Sequence, residues 1–166
     1  MAQAQTIDEV LTTLATIIAD AETKGLRTGY FTSLYYKVTS KVKEGVANGL
    51  FKDGPRMERL DVLFANRYLD ALESWQKGGT LTRSWKVALD TTQRSTPLIL
   101  QQLLLGINAQ INLDLGIAAV EVMQGQNLED IHIDFNTINE IIGSLTNETI
   151  REIDRMDDPS QSIERI

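Results

Sequence analysis

Apolar residues recur every three to four positions along most of this chain, a spacing that predicts helices and no strands. Ile7, Val10, Leu11, Leu14, Ile17, Ile18 and Ala21 form a first stripe, opened by the capping-box pattern Thr6-Ile7-Asp8-Glu9 and closed by Gly25. A second helix, from about Thr28 to Asn48, turns Phe31, Leu34, Tyr35, Val38 and Val42 inward and leaves Lys37, Lys41 and Lys43 on a wet face. A third, from Pro55 to Lys77, carries Met57, Leu60, Phe64, Tyr68, Ala71 and Trp75 on its main arc. Its opposite arc mixes Arg59, Asn66 and Asp70 with Val62, Leu63 and Leu69, with Asp61 and Arg67 on the flanks. Gly78-Gly79 breaks the chain before a short helix with Trp85, Ala88 and Leu89. Asn127 is expected to cap a brief turn and Asp134 a last long helix, whose stripe is Phe135, Ile138, Ile142, Leu145, Ile153 and Met156.

The longest apolar run, Pro97 to Met123, stands apart from these. Thr96 and Pro97 form a helix start signal and Gly125 a stop, giving about 27 residues, or roughly 40 Å at about 1.5 Å per residue. At about 100° per residue, Gln101, Asn108 and Asn112 share one narrow stripe, while Gln110, Asp114 and Glu121 share another nearly opposite. Two thin polar stripes on an apolar cylinder predict a helix packed on several sides, the most buried in the fold, with at least one stripe internal. A buried amide or carboxylate without a partner costs about 1–3 kcal/mol, so these groups require partners, water or a ligand. The expected architecture is all-α: one helical domain over 1–166, about five principal helices around this long central one, an ordered core of about 6–157 and a tail at 158–166.

Composition narrows the functions. With 16 basic against 23 acidic residues the net charge is −7, which leaves no basic surplus for nucleic acid or an anionic membrane. The polar residues of the central run, with the carboxylates of Asp114 and Glu121, argue against a membrane span. MAQAQTIDEV has neither a basic nor an apolar leader region, so a cytoplasmic protein is expected. Cysteine is absent, which excludes disulfides, thiolate metal sites and cysteine nucleophiles.

The candidate chemistry lies on the third and central helices. Arg67 could pair with Asp70 on the surface or join Asp61 and the central helix in a buried network. No Ser or Thr has an evident histidine base, and His132, the only histidine, falls in a connector. No metal is assigned: Asp61, Asp70 and Asp114 would suit only a hard cation.

Two blocks, RMERLDVLFANRYLDA from Arg56 to Ala71 and LLGINAQINLDLGIA from Leu104 to Ala118, resemble the core of an uncharacterised bacterial family described as a domain of unknown function. The likeness extends over most of Ile7 to Ile153 and implies a helical fold with no established activity. Relatives often carry His where this chain has Gln110, and a His-x3-Asp pair on one helix face is similar to the metal-binding pairs of helical zinc phospholipases and nucleases. The glutamine here departs from that pattern, and relatives are expected to continue beyond Ile166.

Three functions follow as expectations. The first is binding of a small organic molecule, with or without catalysis, in an interhelical pocket lined by Asp61, Arg67, Asn108, Gln110, Asn112 and Asp114. The second is a noncatalytic assembly or partner-binding module anchored by Trp75, Trp85 and tyrosines; the second arc of the third helix is expected to be covered by another copy, a homodimer being the simplest closed form, or by a further C-terminal segment. The third is a metal-dependent hydrolase with a degenerate site. Cofactor and ligand stay open.

Overall fold

The computed structural model describes residues 3–94 and 98–156, the side chains of Asn112 and of residues 153–156 excepted. The start signal at Thr96-Pro97 and the tail at 158–166 lie outside the described residues. The chain is all-α. Helices α1 (Ile7–Lys24), α2 (Thr28–Ala47), α3 (Gly54–Gln76) and α4 (Arg83–Thr92) precede a central helix made of α5 (Ile99–Ala109), a π-helical segment (Gln110–Leu115) and α6 (Gly116–Val122). A 3-10 turn (Leu128–Ile131) then leads into α7 (His132–Met156).

The end signals act as their chemistry requires. Thr6 Oγ1 accepts from the Glu9 amide, the Glu9 carboxylate accepts from the Gln5 amide, and Gly25 closes α1 in the left-handed conformation at φ 63°. Asn127 caps the 3-10 turn by accepting from the Glu129 amide. Asp134, in contrast, does not cap α7. It sits in the first turn of that helix, almost fully buried, and its two oxygens accept the backbone amides of Lys52 and Asp53 at 2.7 and 3.0 Å. The carboxylate thereby holds the α2–α3 loop against α7.

The core centres on rings from three helices. Phe31 and Tyr35 of α2, Phe64 and Tyr68 of α3 and Trp85 of α4 meet mostly edge to face, at centroid distances of 5.2 Å for Phe31–Tyr68 and 5.4 Å for Tyr35–Phe64. Tyr68 is fully buried and shares a 2.6 Å hydrogen bond with the Thr32 hydroxyl. Gly106 lets α5 lie directly on this cluster, for a Cβ there would stand 2.5 Å from the Phe31 ring. Because that ring is wedged against Tyr68 and Trp85, Gly106→Ala is expected to lower the unfolding free energy by about 1–3 kcal/mol in a urea titration.

Two expectations about burial change. The central helix touches α2, α3, α4 and α7, yet α3 is the more enclosed element, with 12 buried residues among its 23. The sequence pattern understated α3 because its second arc is mixed. Val62, Leu69 and Asn66 of that arc are buried within the one chain, and Asn66 exchanges two 2.9 Å hydrogen bonds with the Ala4 backbone. The second arc of α3 therefore gives no argument for a dimer. Four of the exposed large apolar residues, Leu104, Leu113, Ile117 and Val120, lie instead on the central helix. Ile99–Val122 is also long and apolar enough, by length and composition, to cross a membrane; about half of its most apolar stretch is buried inside the fold.

Candidate functional site

The π-helical segment decides where the polar residues of the central helix go. A π turn carries one residue more than an α turn, so everything beyond it is rotated by about 100° from the register of a regular helix. Gln110 and Asp114, at the two sides of this turn, are both buried, at 2% and 1% exposure. Glu121, which a regular helix would place in their stripe, faces solvent. Of the opposite stripe, Gln101 and Asn108 are exposed, and the side chain of Asn112 is not among those described. The internal stripe is thus Gln110 with Asp114, and Asn108 is not part of it.

Asp114 is held by two neighbouring helices. Its Oδ1 accepts from Arg67 Nε of α3 at 2.9 Å, and its Oδ2 accepts from Trp85 Nε1 of α4 at 2.7 Å. Arg67 pairs across helices rather than with Asp70, which is exposed and accepts from Gln3. The Arg67 side chain is 31% exposed, and its Nη1 and Nη2 make no hydrogen bond among the described residues. It lines a surface cleft of about 210 Å³ together with Asp70, Ser74, Thr80, Thr82, Trp85 and Asp114. Leu81 and Ala71 supply apolar wall.

Asp61 and Gln110 belong to the interior. Asp61 is fully buried and neither of its oxygens has a hydrogen-bond partner. Burial, aided by the negative charge of Glu58, pushes its carboxyl up to about 7, with the neighbouring Thr39 hydroxyl acting the other way. Tyr35 stands nearby: burial, then the Asp61 and Asp114 charges, raise its phenol well above the ordinary value, while the Gln110 amide opposes them. The six sequence-derived candidates therefore divide. Arg67 and Asp114 form the cleft site, Asp61 and Gln110 join an internal polar group, Asn108 is on the surface, and Asn112 is undescribed.

Three participants escaped sequence reasoning. Trp85 looked like a partner anchor but is buried and donates to Asp114; Trp75 likewise donates to Asp90 at 2.9 Å. Tyr35 sat in an ordinary core stripe, and only the position of α3 and the π turn shows that its hydroxyl faces Asp61 and Gln110. Of the three carboxylates considered for a hard cation, Asp70 and Asp114 line the cleft while Asp61 lies apart in the interior, and among the described residues no group of three or more His, Asp or Glu comes together. His132 is exposed.

The fold and site define an all-α bundle whose central helix carries a π turn, and whose α3 presents an arginine, anchored by Asp114 of that turn, to a surface cleft. A family model described as "Family of unknown function (DUF5995)" matches residues 7–166, and the chain belongs to that family. No curated protein and no solved structure matches the chain.

Proposed function

We propose that the chain binds a small organic acid, carboxylate or phosphate ester, in the cleft between α3, α4 and the π turn. The observation that supports this reading is the state of Arg67. Its Nε is committed to a buried carboxylate, which fixes the plane of the guanidinium, while the Nη1 and Nη2 donors are left toward a cleft of about 210 Å³. Such a fork matches a carboxylate or phosphate in bidentate fashion. Ser74, Thr80 and Thr82 supply hydroxyls for the rest of the ligand, and Leu81 and Trp85 an apolar wall. Asp114 acts here as a positioning residue for Arg67.

Thermal unfolding of the full chain against a panel of mono- and dicarboxylates, amino acids and phosphate esters tests this. A ligand at about 100 times its Kd adds about 2.7 kcal/mol to stability, which is a readily measured rise in Tm. The rise is expected in the wild type and absent in Arg67→Met, each compared with its own ligand-free Tm. No rise with any acid, or an equal rise in Arg67→Met, rejects the site.

A second reading, self-association, draws on the exposed stripe of the central helix. Leu104, Leu113, Ile117 and Val120 expose between 38% and 60% of their surface. On a chain with net charge −7, this uncharged stripe is a place where two copies meet without like-charge repulsion. Sedimentation equilibrium is expected to give a dimer that Ile117→Lys with Val120→Lys returns to monomer. A wild-type monomer at high micromolar concentration removes this reading.

A further inference from the structure

A second charge faces the cleft beside Arg67. Asp70 stands one helical turn further along α3 and lines the same space of about 210 Å³. Opposite charges at i and i+3 on a helix, with Cβ atoms about 5–6 Å apart, are placed to pair with each other. These two do not: Arg67 Nε turns to Asp114, while Asp70 Oδ2 accepts from Gln3 Nε2 at 3.1 Å and its Oδ1 has no hydrogen-bond partner among the described residues. The other carboxylate of the cleft, Asp114, has both oxygens taken by Arg67 and Trp85. One cation and one anion thus stand a turn apart, each with capacity left toward one cleft. Given the acid-binding reading of this cleft, on which the assignment rests, we infer that its ligand is an α-amino acid, the carboxylate held by the Arg67 Nη donors and the ammonium by Asp70.

The charges in the wall select this class over a simple acid. A guanidinium takes a carboxylate through two parallel N–H···O bonds, and an ammonium, which only donates, needs an acceptor such as the free Oδ1 of Asp70. An acid without an amino group would bring a second negative charge beside Asp70 with nothing to offset it, so the same residue that attracts the zwitterion repels the bare acid. Among the described residues no lysine or second arginine lines the cleft, and a doubly charged phosphate ester meets the same repulsion. The chain break before α4 shapes the rest. Gly78, at φ 70°, and Gly79, whose amide donates to the Ser74 carbonyl at 2.7 Å, fold the chain back over the end of α3, so that residues 80–82 wall the cleft together with Arg67 and Asp70. Leu81 and Ala71 give that wall its apolar part, which suits an aliphatic side chain on the amino acid.

Calorimetric titration of the full chain with alanine, valine and leucine, each beside the carboxylic acid that lacks its amino group, reads the ammonium contact directly. Asp70 is exposed and water screens it, so the wild type is expected to prefer the amino acid by about fivefold or more. In Asp70→Asn the amino acid is expected to fall to the affinity of its amino-free counterpart, which itself binds no more weakly than before. That variant loses only a surface carboxylate whose one hydrogen bond among the described residues is to Gln3, and an unchanged urea midpoint checks that it folds. Arg67→Met is expected to abolish binding of both members of each pair. Equal affinities of the wild type for the two members, or a preference that survives in Asp70→Asn, overturn the amino-acid assignment and leave the acid site standing. Binding of neither member to the wild type removes the acid site and the assignment together.

Discussion

Replacing Asp114 by asparagine is expected to lower the unfolding free energy by about 3 kcal/mol, although the two side chains have nearly the same shape. The carboxylate presents one oxygen to Arg67 Nε and the other to Trp85 Nε1, both donors. Asparagine has a single acceptor oxygen, so whichever way the amide turns, its NH2 group confronts a donor. The loss of charge also leaves the guanidinium without its partner. Breaking a fully buried pair costs about 3–5 kcal/mol; Arg67 is 31% exposed, so water recovers part of that and the lower end is expected. Urea midpoints at unchanged m-value are the measurement. A change below about 1 kcal/mol would show that this carboxylate does not fasten the π turn to α3 and α4. A large loss from Asp114→Asn also separates the roles at the cleft: Asp114 would be the residue that positions Arg67, and binding of the acid group would be read at the Arg67 Nη donors alone.

Asp61 is expected to make the protein less stable as the solution becomes more basic through neutrality. Its folded-state carboxyl is raised from the ordinary 3.8 to about 7, so between those values the folded chain binds a proton that the unfolded chain has released. The stabilisation is fully present below about pH 4 and is lost as pH rises through about 7. At about 1.36 kcal/mol per pH unit, the whole effect is roughly 4 kcal/mol. Asp61→Asn removes this titration: the difference in stability between pH 5 and pH 8 is expected to shrink, and the variant is expected to exceed the wild type at pH 8. Urea unfolding at several pH values checks both statements. A wild-type profile flat from pH 5 to 8 would mean that Asp61 finds a partner and stays ionised.

Both effects arise from residues that stood out in the amino-acid sequence, but for different reasons. The helices themselves were legible because each depends on local rules: the periodic stripe that a helix must bury, Thr6 and Asn127 with free oxygens ahead of a helix, and Gly25 able to take a positive φ. The family blocks from Arg56 to Ala71 and Leu104 to Ala118 also pointed to α3 and the central helix as the place of interest. That at least one polar stripe of the central helix is internal followed from its place on an otherwise apolar cylinder; which stripe it is did not.

What the linear pattern could not carry was direction. Stripes laid out at one constant angle per residue fail at the π turn, Gln110–Leu115, the point where the polar residues lie. Its extra residue sends Glu121 to solvent and leaves Gln110 and Asp114 facing different neighbours. Nothing local distinguishes Arg67 paired with Asp70 one turn away from Arg67 paired with Asp114, 47 residues on; the choice is made by how closely α3 and the central helix pack. The same holds for Asp61, which was a flank residue by sequence and became a buried carboxylate without a partner when α2 closed over it. Apolar periodicity determined which faces turn inward, because burial needs only spacing. Tertiary packing alone decided which polar atoms meet there, because hydrogen bonds need distance and angle between elements far apart in the chain.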